Sequence, residues 1–279
     1  MQPRFFQSHL DRAAHRRKDE AWLKEAWERG RVLVVDPETG NVEVDSAERP
    51  VFRSSEDAPD GHRLYLGGEL RPYFAVTAPV SQGASLRQLA SRLPELEADI
   101  VMEAVALARW HGDHIYHPAT GNPTEVLSGG WERRDGEKVL WPRTDPAIMV
   151  LITDGADRCL LANGRSWPRD RYSCLAGFVD PGESAEAACH REVFEEVGLT
   201  ITGLTYVASQ PWPFPRSLML AYRAIGDPDA AITMEPEEIA DATWFTREQV
   251  RNALAGRPAP LRAASSASIA RFLLEDWAR

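Results

Sequence analysis

Three glutamates, Glu192, Glu195 and Glu196, stand at i, i+3 and i+4 in a run with no Gly or Pro between Ser184 and Gly198. A run of that kind closed by a glycine predicts one helix, and the spacing puts all three carboxylates on one of its faces. Like charges held so close repel one another unless a cation lies between them. Oxygen-only ligands suit Mg2+ or Mn2+, which hold diphosphate oxygens and activate water. A glutamate triplet alone is ordinarily a solvated helix face. The surroundings change that reading. Gly177-Phe178-Val179-Asp180-Pro181-Gly182-Glu183 precedes the helix, and Arg191-Glu192-Val193-Phe194-Glu195-Glu196-Val197-Gly198-Leu199 ends it. Glu183 is spaced to pair with Arg191, either locking the glycine-rich loop onto the helix or as an ordinary surface ion pair. Val193, Val197 and Cys189 supply the stripe that the helix buries.

A second stretch, Ser209-Gln210-Pro211-Trp212-Pro213-Phe214-Pro215-Arg216-Ser217, begins ten residues beyond Leu199. Alternate prolines fix a stiff extended backbone and present Trp212 and Phe214 as rigid aromatics. Such a segment serves as a partner's proline-rich ligand, as a structural loop or as a preformed substrate wall. Its position between two expected strands near the glutamate helix favours the wall.

The elements that must position these residues follow from apolar periodicity. A buried strand is expected at Ala147-Ile148-Met149-Val150-Leu151-Ile152, with a turn at Asp154-Gly155 and a second strand from Arg158 to Ala162. Strands are also expected at 205–207, 217–223 and 242–245, and helices at 246–254 and 265–277. Upstream, helices are expected at 18–28, 85–93 and 95–111, a hairpin over 31–44, and strands at 63–66 and 73–76. The N-terminal part shows no phosphate loop or catalytic cluster, so packing or subunit contact is its expected role. From Gly112 to Lys138 the composition is rich in Gly, Pro, Asp, Arg and Thr, and little regular structure is expected.

Bulk composition narrows the function further. Of 279 residues 43% are hydrophobic, enough for two domain cores. Net charge is −10 (32 Lys and Arg against 42 Asp and Glu), which argues against a duplex-DNA surface. Positive charge for a phosphate substrate must therefore be concentrated locally, most simply as bound metal. The odd set Cys159, Cys174 and Cys189 contains no CxxC pair and fits a reducing compartment, so a cytoplasmic location is expected. No apolar run approaches membrane-spanning length, and no secretory signal is read in residues 1–17.

The pattern from Gly177 to Leu199 resembles the Nudix box, the signature of hydrolases that cut diphosphate bonds linked to a nucleoside. With Gln210-Pro211-Trp212-Pro213-Phe214-Pro215 downstream, the chain is similar to the NADH pyrophosphatase subgroup. Trp141-Pro142-Arg143-Thr144-Asp145-Pro146, Leu175-Ala176-Gly177-Phe178, Glu238-Ile239 and Ser268-Ile269-Ala270 agree, over roughly 106–277. The resemblance implies an α/β fold. It consists of a Nudix α/β/α sandwich with a mixed sheet over 142–279, a smaller α+β domain over 1–111, and a degenerate zinc-ribbon-like linker over 112–141.

By the same resemblance, Glu192, Glu195, Glu196 and Glu238 are metal ligands, joined by the main-chain carbonyl of Ala176. The substrate-specificity loop is Gln210, Pro211, Trp212, Pro213, Phe214, Pro215, Arg216 and Ser217. Ala270 lines a base pocket, and Phe178 and Trp141 sandwich a base. Tyrosine is usual at the second of those positions, so Trp141 keeps the stacking face and loses the hydroxyl. The subgroup's four zinc-binding cysteines are missing: Tyr116-His117-Pro118-Ala119-Thr120-Gly121, Arg133 and Gly136 stand in their region. Zinc is therefore expected to be absent, the alternative being a substitute site on His111, His114 and His117. Apolar burial of Trp131 and Leu140, with Arg134 or Arg143 pairing to Asp135 or Asp145, is expected to hold the linker instead.

The implied activity is metal-dependent hydrolysis of NADH or NAD+ to nicotinamide mononucleotide, reduced or oxidised, and AMP. Glu195 or Glu196 is the candidate general base. The same bond is cut in removing NAD caps from RNA 5′ ends, and ADP-ribose or dinucleoside polyphosphates are further candidate substrates. A non-catalytic Nudix regulator that senses a nucleotide is the reading from another class, but all four box glutamates stand and no basic helix-turn-helix is seen. The implied assembly is a homodimer.

Overall fold

Val32-Leu33-Val34-Val35 and the turn residues Asp36-Pro37-Glu38-Thr39-Gly40 make the hairpin that the sequence predicts. Strands β1 (Arg31–Val35) and β2 (Asn41–Glu43) pair antiparallel with Val35 opposite Val42. The structure, a computed structural model, describes residues 8–279. They fall into two units: 8–144 together with Pro213–Arg216, and Asp145–Trp212 together with Ser217–Arg279. Among the described residues no helix is long and apolar enough to cross a membrane.

In the first unit, helix α1 (Glu20–Glu28) is capped by Asp19, whose carboxylate accepts from the Trp22 N–H at 3.0 Å. Strands β3 (Phe52–Arg53), β4 (His62–Gly67), β5 (Tyr73–Thr77) and β6 (Gly83–Ser85) complete a sheet ordered β4-β5-β1-β2-β6, with β3 beside β1. The helix expected at 85–93 is confined to α2 (Leu86–Leu89), where Ser85 and Gln88 form a capping box. Helix α3 (Glu95–Asp113) buries Ile100, Ala104, Leu107 and Trp110, the stripe its periodicity predicts.

The stretch expected to be irregular is an antiparallel sheet of β7 (Glu125–Leu127), β8 (Glu132–Asp135) and β9 (Lys138–Leu140). The turn between β8 and β9 is Gly136-Glu137, with Gly136 at φ 57, a hairpin signal masked by the polar composition around it.

The second unit is built on β10 (Asp145–Thr153), β11 (Arg158–Gly164), β12 (Leu175–Phe178), β13 (Ile201–Trp212), β14 (Ser217–Gly226) and β15 (Ile239–Thr246). Their order is β13-β14-β10-β11-β15, with β12 beside β10; β10 and β14 run parallel and the other pairs antiparallel. Alternation along β10 sends its residues to two cores. Ile148, Val150 and Ile152 pack with Cys189, Val193 and Val197 of α4 (Ala185–Val197). Ala147 and Leu151 pack with Val250 of α5 (Arg247–Leu254) and with Ile269, Leu273 and Trp277 of α6 (Ile269–Trp277). Helices on both faces of a mixed sheet make the α/β/α sandwich.

Candidate active site

Helix α4 begins where Ser184 caps it, its hydroxyl accepting from the Ala187 N–H at 3.1 Å, and ends at Gly198 with φ 72. One guanidinium ties this helix to the loop before it. Arg191 binds both oxygens of Glu183, at 2.9 and 2.8 Å, and donates to the Phe178 carbonyl at 2.9 Å. Glu183 in turn accepts from the Asp180 N–H at 3.1 Å. The lock between loop and helix is therefore present, and the bidentate hydrogen bonds from Arg191 hold the Glu183 carboxyl below its usual range.

The same guanidinium donates to Glu192 at 2.9 Å and to Glu195 at 3.1 Å. Glu195 is exposed, whereas Glu192 is half-buried and Glu196 is only 7% exposed. The Glu196 Oε2 atom is fully buried without a hydrogen-bond partner. Burial, and then the charges of Glu192, Glu238 and Glu195, push its carboxyl up to about 8. Burial also raises Glu192, against the pull of Arg191. Among the described residues, no three His, Cys, Asp or Glu side chains converge on one point at coordination distance. The carboxylates thus share a face and feel one another, with Glu192 and Glu195 turned to Arg191.

Glu196 faces a cleft of about 440 Å³ whose lining includes Ala176 of β12 and Glu238. The pairing of β11 with β15 sets Gly164 opposite Ile239, and this brings Arg165 and Trp167 into the same cleft. The Arg165 N–H donates to the Glu238 carbonyl at 2.9 Å, and the Glu235 N–H to the Glu196 carbonyl at 3.0 Å. Sequence reasoning missed Arg165 and Trp167, because the register of two strands far apart in the chain decides their position.

The other expected site residues are divided between the two units. The stretch Ser209-Gln210-Pro211-Trp212 is the end of β13 rather than a free loop, and Trp212 packs on the α6 core. Gln210 is fully buried; its amide donates to the Ala267 carbonyl at 2.9 Å and accepts from the Ile269 N–H at 2.8 Å, so it anchors the start of α6. Ala270, 2% exposed, lies in that same core. Pro211 is half-buried, and Ser217 is buried opposite Trp212. Pro213, Phe214, Pro215 and Arg216 belong to the first unit, where Arg87 lies 4.3 Å over the Phe214 ring and Arg216 pairs with Asp113 at 3.5 Å. Phe178 and Trp141 are 56% and 64% exposed, and they stand in different units.

In the linker, Arg133 is 2% exposed and acts as an internal clamp. It donates to the Thr124 hydroxyl at 2.6 Å, to the Thr124 carbonyl at 3.2 Å and to His111 Nδ1 at 2.9 Å. A guanidinium can only donate, so His111 Nδ1 accepts and its proton sits on Nε2, which donates to the Gly130 carbonyl at 2.8 Å. Burial holds this imidazole neutral, pushed down to about 3. His114 Nδ1 donates to the Trp110 carbonyl at 2.8 Å, and His117 Nδ1 accepts from the Ala119 N–H at 3.1 Å. The expected pairing of Arg134 with Asp135 is not made: Arg134 lies 3.5 Å from Glu132, and Asp135 accepts from Thr120 at 2.6 Å. Half-buried Trp131 donates to the Tyr65 carbonyl at 2.8 Å.

Known proteins match this chain. The family described as NUDIX domain matches residues 143–266. A Mycobacterium tuberculosis protein named NAD-capped RNA hydrolase NudC is 42% identical over 207 residues, covering 71% of this chain and 66% of that protein. A Mycobacterium bovis protein of the same name matches to the same extent. The human protein named NAD-capped RNA hydrolase NUDT12 is 37% identical over 200 residues, covering 67% of this chain and 43% of that one. The chain thus spans 66% of the length of the mycobacterial relatives it matches. The helix-borne glutamates, the Glu183–Arg191 lock and the sandwich that carries them place this chain in the Nudix family.

Proposed function

We propose that the chain hydrolyses the diphosphate bond of NADH or NAD+, giving AMP and the reduced or oxidised nicotinamide mononucleotide. The observation that carries this reading is Glu196. A buried carboxylate with an unpartnered oxygen, raised by burial and then by three neighbouring carboxylates, is suited to a cation. Glu192, Glu196 and Glu238, with the Ala176 carbonyl beside them, would hold Mg2+ or Mn2+. Such an ion neutralises diphosphate charge and lowers the pKa of bound water. The water oxygen bonds to one phosphorus, the bond from that phosphorus to the bridging oxygen breaks, and two monophosphates leave. Glu195, exposed and outside the buried group, is left to accept the proton of the water. Phe178, in the unit that carries the glutamates, offers an exposed ring face on which a base of the dinucleotide stacks.

The names of the relatives favour one further form of the substrate, an RNA whose 5′ end carries the dinucleotide as a cap, since the scissile bond is the same. A homodimer is the proposed assembly. Incubating the purified chain with NADH and Mg2+ or Mn2+ and weighing the products tests the reading. AMP and the reduced mononucleotide are expected; free nicotinamide, or inorganic phosphate released first, would overturn it.

A further inference from the structure

The cleft of about 440 Å³ that Glu196 faces also holds Glu237 and Glu238, and Arg165 is the one positively charged residue of its lining. In a chain of net charge −10, a lone cation among carboxylates stands where an anionic substrate most needs one. A second hollow of about 480 Å³, with Met234, Pro236 and Ala240 in its wall, shares Arg165 and Ile239 with the first. Both lie within the second unit.

Local structure fixes Arg165 between them. The Trp167 N–H donates to the Gly164 carbonyl at 2.8 Å, closing a turn in which Arg165 is the second residue. The Trp167 ring packs against Gly164, where a Cβ would come within 3.2 Å of it. From that turn, the Arg165 N–H donates to the Glu238 carbonyl at 2.9 Å, and its Nη1 donates to the Pro236 carbonyl. The segment so held is tied in turn to α4, where the Glu235 N–H donates to the Glu196 carbonyl at 3.0 Å. Both partners of Arg165 are carbonyls. Among the described residues no carboxylate pairs with its guanidinium, and the N–H groups of Nε and Nη2 have no acceptor.

A guanidinium tethered at one nitrogen, with two donors left on one edge, matches the paired oxygens of a phosphate. We propose that Arg165 binds the diphosphate of the substrate, its Nε and Nη2 donating to one phosphate while Nη1 stays on the Pro236 carbonyl. This rests on the proposed diphosphatase activity. It adds a protein cation to the metal as a holder of phosphate charge.

Arg165→Met keeps the length of the side chain and removes its charge and donors. KM for NADH should rise about tenfold, the scale of a lost hydrogen bond to a charged group. In calorimetric titrations without turnover, the Kd of AMP should rise by a similar factor. The Kd of adenosine, which has no phosphate, should stay at the wild-type value. Mn2+ titrated without nucleotide separates phosphate binding from a merely structural clamp on Glu238. The cation of Arg165 repels a metal ion nearby, so its removal should leave the Mn2+ Kd unchanged or lower it. A slackened Glu238 would raise it instead. An unchanged Kd for AMP, an equal loss for AMP and adenosine, or a raised Mn2+ Kd would each overturn the assignment. Failure of the parent reading looks different, because the wild-type chain would then release no AMP from NADH.

Discussion

The carboxylate of Glu192 lies directly over Gly177: a Cβ at position 177 would fall 1.9 Å from Glu192 Cδ and 2.0 Å from its Oε1. Real Cβ atoms do not come that close, so any side chain at 177 displaces the Glu192 carboxylate. Position 177 sits in β12 opposite Ile148, where the backbone is ordinary strand. Strand β12 and helix α4 thus meet at one carboxylate, and the strand residue before the glycine, Ala176, is the one whose carbonyl is proposed to face the cation.

Gly177→Ala should therefore push the Glu192 carboxylate from its place over β12, where its charge acts on Glu196. Activity is expected to fall about 100-fold, the scale on which metal-assisted hydrolysis suffers when a ligand is displaced. Circular dichroism should be unchanged, because the sheet pairing does not involve the added methyl. Near-normal turnover with an intact fold would remove Glu192 from the site.

Arg191 holds Glu183, the Phe178 carbonyl, Glu192 and Glu195 with one planar fork. Lysine keeps the charge but cannot reproduce that geometry. Arg191→Lys should lower kcat/KM about 10- to 100-fold, as loss of a group orienting ligands does. Raising the concentration of Mg2+ should recover part of the loss. If Arg191→Lys is fully active, the lock is only a surface ion pair.

Glu196 gives the stability a pH dependence whose sign is fixed. Burial and the charges of Glu192, Glu238 and Glu195 raise its folded carboxyl to about 8, above an unfolded value of about 4.5. Between those values the folded chain binds more protons than the unfolded one, so stability falls as pH rises. In chelator, the free energy of unfolding should drop by a few kcal/mol, to order of magnitude, from pH 5 to pH 8. Glu196→Gln should flatten that slope and cost about 100-fold in activity. A chelated wild type with a flat profile would contradict the burial assigned to Glu196.

Phe178 bears on substrate affinity. If Phe178 stacks a base, Phe178→Ala should raise KM for NADH by the roughly 1–3 kcal/mol typical of such contacts, with kcat less affected. The side chain is 56% exposed, so little stability should be lost. An unchanged KM would return Phe178 to the role of an exposed surface ring.

What could be read from the sequence was what is local. Glu183 and Arg191 are eight residues apart, so spacing alone predicts their pair, and Ser184 and Gly198 announce the two ends of α4. Arg165 reaches Glu238 only because Gly164 pairs with Ile239 across two strands, which no short-range pattern encodes. Gln210 is turned inward for a related reason. Its neighbours in sequence are rigid prolines and tryptophan, but its partners Ala267 and Ile269 are 57 and 59 residues away, and they draw the amide inward. The short sheet from Glu125 to Leu140 was hidden by its composition, since its strands are three or four residues long and mostly charged.

Arg133 leads to the final prediction. Fixed positive charge beside a zinc ion is unfavourable, so Arg133 argues against zinc at this place. The structure gives it a role in place of one. Its guanidinium joins β8 to Thr124 and to the end of α3, and it occupies the Nδ1 of His111 while the carbonyl of Gly130 occupies Nε2. A zinc ion could recruit His111 only by displacing the buried hydrogen bond at one of its two ring nitrogens. Protein purified without added metal should therefore carry far less than one zinc per chain, and a strong chelator should leave Tm unchanged. Arg133→Met should destabilise by roughly 2–3 kcal/mol, because the Thr124 carbonyl and His111 Nδ1 lose their donor while buried. About one tightly held zinc per chain, with Tm collapsing on chelation, would mean that the clamp gives way to a metal site. In that case Arg133→Met should cost little.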